Sequence, residues 1–214
     1  MRKLVWIALL GIAVASCQRM RPAQPIPAEW QGTTVYTCCN IHYEHPEVTD
    51  ANYLVGALLP FGTPAQVQKM TSNSVTFRTG ATDMTVIQSY GTAQESAQQY
   101  FNKILVPNDP HAVFDTYPTD VQTAIQNGRV EVGMTKPQAI MSLGYPPTHR
   151  TASTDLNTWT YWYNRWVTYQ VMFGDNGKVV NLVGNAPTSN QPIVEPTPTP
   201  KPAAARPARK GKTK

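Results

Sequence analysis

Gly133-Met134-Thr135-Lys136-Pro137-Gln138-Ala139-Ile140-Met141-Ser142-Leu143-Gly144-Tyr145-Pro146-Pro147 reads as one complete helix with both of its ends written into it. Thr135 and Gln138 have the spacing of a capping box, in which the two side chains satisfy each other's free backbone amides. Pro137 falls in the first turn, where its missing N–H costs nothing. Ala139, Ile140 and Leu143 supply an apolar stripe, Gly144 supplies the stop, and Pro146-Pro147 block continuation.

Outward from that helix the pattern continues in both directions. Upstream, residues 120–126 carry Val121, Ala124 and Ile125 and end in Asn127-Gly128, a left-handed stop; residues 129–132 form a short extended link. Downstream, residues 158–164 alternate Trp159, Tyr161 and Tyr163 against Thr160 and Trp162. Residues 166–173 alternate again, Gly174-Asp175-Asn176-Gly177 is a strong hairpin turn, and residues 178–183 return. The predicted order is helix, helix, three-stranded meander.

That order, together with Gly133-Met134-Thr135, Gln138, Leu143-Gly144-Tyr145-Pro146-Pro147, Trp159-Thr160-Tyr161, Val171-Met172-Phe173 and Asp175-Asn176-Gly177-Lys178-Val179, resembles the SmpA/OmlA family. These are the BamE-like outer-membrane assembly lipoproteins. The resemblance implies two helices packed on a three-stranded antiparallel sheet, and a non-catalytic scaffold whose partner is an envelope protein such as the barrel-assembly machinery. The same helix start and stop also occur in other sheet-backed binding domains, including β-lactamase-inhibitor-like modules, so an inhibitor or ligand-binding module is a further reading.

The preceding part is of another kind. Residues 34–40, 52–59, 65–70, 75–79 and 82–90 are rich in β-formers, and turn residues separate them, which predicts a small barrel or strongly bent sheet. Leu58-Leu59-Pro60-Phe61-Gly62-Thr63-Pro64 looks like the connection in SH3-like barrels. Thr92 and Glu95 have capping-box spacing and predict a helix whose apolar face is Ala93, Ala97, Tyr100, Phe101, Ile104 and Leu105. Pro107-Asn108-Asp109-Pro110 stops it. The expected class is therefore α+β, with a β-rich domain over residues 30–110 and the BamE-like domain over residues 111–184.

The two ends of the chain predict where it works. Arg2 and Lys3 precede a short apolar run over residues 4–13, which ends in Val14-Ala15-Ser16-Cys17. This resembles the lipobox of bacterial lipoproteins, and the resemblance implies that residues 1–16 are removed and Cys17 is lipidated. Gln18, where inner-membrane retention usually places Asp, implies an outer-membrane, periplasm-facing destination. Residues 17–29 are Pro-rich and read as a tether.

The net charge of +5 is concentrated in the tail, where the last fourteen residues hold six lysines and arginines. Between residues 19 and 184 acids slightly outnumber bases, which argues against nucleic-acid binding by the folded part. Residues 185–214 predict a disordered tail with polyproline II character, whose basic end suits anionic partners such as peptidoglycan; a wall tether is thus the alternative function.

No Ser, Cys or carboxylate constellation has catalytic spacing, so no enzyme activity and no cofactor are expected. Cys38 and Cys39 read as one buried and one half-exposed thiol, with an intermolecular or vicinal disulfide as the alternatives. His42, Glu44 and His45 lie close together but lack the spacing of a zinc site, so they read as surface or turn residues and no metal is expected. The dense aromatic set at residues 159–169 must line a core on one face. The other face predicts a partner-binding group of Trp162, Arg165 and Trp166.

Overall fold

The computed structural model describes residues 22–184, and Cys17, the leader and the basic tail lie outside them. The fold is α+β, with a curled multi-stranded sheet followed by helices and a three-stranded sheet. In the first part the strands are β1 (Ala23–Gln24), β2 (Val35–Thr37), β3 (Ile41–Tyr43), β4 (Glu47–Thr49), β5 (Ala57–Leu59), β6 (Pro64–Thr71), β7 (Ser74–Thr79) and β8 (Thr82–Ile87). Helix α1 (Ala97–Ile104) and the short β9 (Leu105–Val106) follow. The large sheet runs β4-β8-β7-β6-β2-β9, with β1 added on β6, while β3 and β5 form a separate ribbon.

Alternation builds the first core. Ala65, Val67 and Met70 of β6, Val75 and Phe77 of β7, and Met84 and Val86 of β8 point to one side, where Phe101, Ile104 and Leu105 close over them. A bulge between Val67 and Lys69 inserts one residue and resets the alternation, so that Met70 still faces inward. Burying a side chain such as Phe77 contributes about 1.5–3 kcal/mol.

Several expected boundaries move, each for a local reason. The helix begins at Ser96, not Thr92: Ser96 Oγ accepts the Gln99 N–H at 3.3 Å, and Gln99 Oε1 accepts the Ser96 N–H at 2.9 Å. Thr92–Glu95 forms a turn instead, with the Gln94 and Glu95 amides donating to the Gly91 carbonyl. The expected strand over residues 52–59 shrinks to β5, because Asn52 takes a left-handed φ of 48° and Gly56 one of 89°. A Cβ on Gly56 would stand 2.3 Å from the Tyr43 carbonyl oxygen, so only glycine allows β5 to approach β3 there. The strand expected to reach residue 90 ends at Ile87, where the following amides turn onto Asp50.

The second part contains α2 (His111–Phe114), α3 (Thr119–Gln126), α4 (Lys136–Leu143), β10 (Thr158–Trp162), β11 (Thr168–Phe173) and β12 (Val179–Gly184). Helix α4 starts where the sequence places it, with Gln138 Oε1 accepting the Thr135 N–H at 2.8 Å, and it ends at Gly144 with φ 77°. The short α2 was not expected. Strands β10, β11 and β12 form an antiparallel meander in that order. Trp159, Tyr161, Tyr169, Val171 and Phe173 face α3 and α4 and are almost completely buried. Residues 129–132 form no strand; the backbone instead joins β12 through Gly133 N–H to Val179 O and Val179 N–H to Met134 O, both 2.8 Å.

The two cores meet along a seam made by residues 40–62. Asn40, 1% exposed, donates from Nδ2 to the carbonyls of Ile125 at 2.6 Å and Ser142 at 3.0 Å, while its Oδ1 accepts the Phe61 N–H at 2.9 Å. Asn52 donates to the carbonyls of Leu143 at 2.8 Å and Tyr145 at 2.9 Å. Both asparagines satisfy carbonyls at the end of α4, which the helix cannot pair internally. Leu54 and Phe61, though they precede residue 110, belong to the second core.

Candidate binding site

A cleft of about 280 Å³ opens where the seam meets the first core. Its walls come from β3, the following segment through Tyr53, helix α1, and the residues just after α4. Strand β3 directs Ile41 and Tyr43 toward the first core, and Tyr100, Ile104 and Tyr145 contribute from the other side. The result is a largely apolar trough edged with tyrosines. Burial, then the nearby Asp50 and Glu95 carboxylates, raises the Tyr100 pKa, so its hydroxyl stays protonated. The Lys103 ammonium lies 5.4 Å from the centre of the Tyr145 ring and pairs with Glu95.

Two rigid devices hold the cleft walls. Asp50 Oδ1 accepts the Ser89 N–H at 2.8 Å and Oδ2 the Gly91 N–H at 2.7 Å, with the Tyr90 N–H shared between the two oxygens. This carboxylate ties the end of β4 to the loop before α1. Cys39 is buried and Cys38 half-buried, and the two form a vicinal disulfide, the alternative to a pair of free thiols. Its neighbours are fixed as well: the Cys38 N–H donates to Ile104 O and the Asn40 N–H to Met141 O, both at 3.0 Å.

The partner-binding residues expected from sequence are only partly brought together. Trp166, 82% exposed, and Arg165, also exposed, stand on the turn between β10 and β11. Asn164 Oδ1 accepts the N–H of Trp166 at 2.9 Å and of Val167 at 3.0 Å, so this turn is internally tied. Arg165 reaches the rim of the cleft. Trp162 is different. Its Nε1–H donates to His149 Nε2 at 3.1 Å, the Arg150 guanidinium sits 4.8 Å over its ring, and its carbonyl accepts the Leu54 N–H. The outer face of the meander bears Thr158, Thr160, Gln170 and Met172, and Trp162 is half-buried at its end. An aromatic outer face, as the alternation suggested, is therefore absent among these strands.

The histidines also separate. Glu44 and His45 are exposed, as read from sequence, whereas His42 turns its Nε2 into the seam beside Gly128, with no hydrogen-bond partner among the described residues. Burial lowers the His42 pKa to about 4, so the ring is neutral. Burial also lowers that of His149, which must be unprotonated at Nε2 to accept from Trp162. Among the described residues no group of three His, Cys, Asp or Glu side chains is placed to hold a metal ion, and no helix is long and apolar enough to cross a membrane.

Sequence reasoning missed Asn40, Asn52 and Asp50 as organisers, and Tyr43, Tyr100 and Tyr145 as one wall. Asn40 and Asn52 carried a faint signal, being amide residues inside β-rich runs with no adjacent Gly or Pro turn. In comparison with known proteins, the chain matches no protein-family model, no curated protein and no solved structure.

Proposed function

We propose that this chain is an outer-membrane-anchored, periplasm-facing lipoprotein that acts as a non-catalytic binding module in envelope or outer-membrane protein assembly. The reading draws on the lipobox-like run ending at Cys17 and on the BamE-like residues of the second half. The helix, helix, meander order is compatible with that resemblance. The observation that carries it is Trp166, 82% exposed on a turn held by Asn164, beside Arg165. A large ring held out into solvent on a pre-organised turn, next to a guanidinium, is the composition of a protein-binding hot spot.

The test is a cross-linked pull-down of the tagged, membrane-anchored protein beside its Trp166→Ala variant. Recovery of barrel-assembly components by the unaltered protein, with a loss on the order of tenfold or more in the variant, is expected for a hot-spot residue. Equal recovery by both proteins would remove Trp166 from the interface. Recovery of peptidoglycan fragments alone, abolished by deleting residues 187–214, would replace this reading with the wall tether.

A further inference from the structure

The tyrosine-edged cleft has the chemistry of a polyproline groove. Extended proline-rich segments are recognised by troughs lined with aromatic rings, because the segment is already stiff and loses little entropy on docking. Tyr43, Tyr53, Tyr100 and Tyr145 line this cleft. Glu44 and Glu47 line it too, both exposed and neither in an ion pair among the described residues. Arg165 supplies a positive group on the rim.

The same chain carries a matching segment, Glu195-Pro196-Thr197-Pro198-Thr199-Pro200-Lys201-Pro202. A polyproline II helix has three residues per turn, so Glu195, Pro198 and Lys201 would fall on one ridge, acid, ring and base in line. The charges of that ridge complement the cleft in kind, with the acid suited to Arg165 and the base to Glu44 and Glu47. The exit point of the chain also fits. Gly184 pairs with Tyr169 and Trp162 with Thr168, so β12 ends beside the turn that holds Arg165. From Gly184 to Glu195 is eleven residues, enough to span about 30 Å when extended.

We propose that residues 195–202 dock in this cleft of their own chain, with Glu195 toward Arg165 and Lys201 toward Glu44 and Glu47. A tethered segment has an effective concentration of millimolar order. With an intrinsic dissociation constant of about 0.1 mM it therefore fills the cleft about ten to one. The inference does not rest on the envelope-assembly reading, whose test concerns Trp166.

The experiment uses the full chain in detergent micelles and a fluorescent synthetic peptide of residues 193–206 as probe. One protein is unaltered; the other carries Pro196→Ala, Pro198→Ala and Pro200→Ala in its tail, which leaves the folded part intact. The peptide should bind the proline variant about tenfold more tightly, because the unaltered tail competes for the site. Adding Glu44→Gln and Glu47→Gln to the proline variant should weaken peptide binding severalfold, with the circular dichroism spectrum unchanged. No binding to the proline variant, equal binding to both chains, or binding indifferent to the two Glu→Gln changes each overturns the proposal.

Discussion

The two halves of the molecule bury different chemistry. The first core is mainly aliphatic, built from Val67, Met70, Val75, Met84, Val86 and Ile104 around Phe77, Phe101 and Trp30, and most of these groups have no polar atom to satisfy. The second is built around Trp159, Tyr161, Tyr169 and Phe173. Here the polar tips are largely tied down: Tyr161 Oη donates to Gly144 O at 3.0 Å, and Trp159 Nε1 donates to Thr154 O at 3.2 Å. Among the described residues the Tyr169 hydroxyl has no partner, and burial pushes its pKa up to about 12. An aliphatic core asks for volume and tolerates rearrangement, whereas an aromatic core with anchored tips asks for one geometry. The half that carries the exposed Trp166 turn is thus the half whose packing is more narrowly specified.

Trp159→Ala should show this difference most strongly. Removing a side chain with no exposed surface leaves a large cavity and frees the Thr154 carbonyl, at a cost of about 3–5 kcal/mol. Chemical denaturation should register a large drop in the midpoint. A volume-conserving Met84→Leu in the first core should cost less than about 1.5 kcal/mol. Equal losses from both changes would mean that the two cores are alike in tolerance.

The next prediction concerns whether the halves unfold together. Asn40→Ala removes three hydrogen bonds and leaves the Ile125 and Ser142 carbonyls and the Phe61 amide buried without that partner. The expected loss is roughly 2–3 kcal/mol. Trp fluorescence, which reports chiefly the second half, and far-ultraviolet circular dichroism should then give separated transitions. Coincident transitions at an unchanged midpoint would show that the seam contributes nothing to cooperativity.

The smallest effect is a pH dependence centred on His42. Its folded pKa of about 4 lies below the ordinary 6.5, so the unfolded state binds more protons between those values. Stability contributed by the neutral ring is present above pH 6.5, falls as the pH drops, and is fully lost below pH 4. The loss between pH 7 and pH 5.5 should be roughly 1 kcal/mol. His42→Gln should flatten that part of the stability profile; an unchanged slope would place the titrating group elsewhere.

The same contrast explains what the sequence reveals. In the second half the deciding signals are local: Thr135 with Gln138, Pro137, Gly144 and the turn at residues 174–177 each act within a few residues, and the elements form where they are read. In the first half the capping pattern read from the sequence, Thr92 with Glu95, forms a turn, and the fold caps the helix with Ser96 and Gln99 instead. Parallel pairing of β4 with β8, the addition of β9 to β2, and the carbonyls that Asn40 and Asn52 satisfy all join residues distant in the chain. Nothing in the neighbouring residues encodes them. The candidate site is legible to the same degree: Arg165 and Trp166 follow from a turn, while the tyrosine wall is gathered from separate elements and is not.

The seam sets an order of events for a chain that emerges from its N-terminus. Asn40 waits for carbonyls 85 and 102 residues further along, and Asn52 for ones 91 and 93 residues further along. Until α4 has formed, a nascent first half holds an unpaired Asn40 and an unseated Phe61. Contacts of such separation form slowly and leave the waiting surface open to wrong partners. Any factor that escorts this chain therefore has its clearest task in the interval between the synthesis of Asn40 and that of Tyr145.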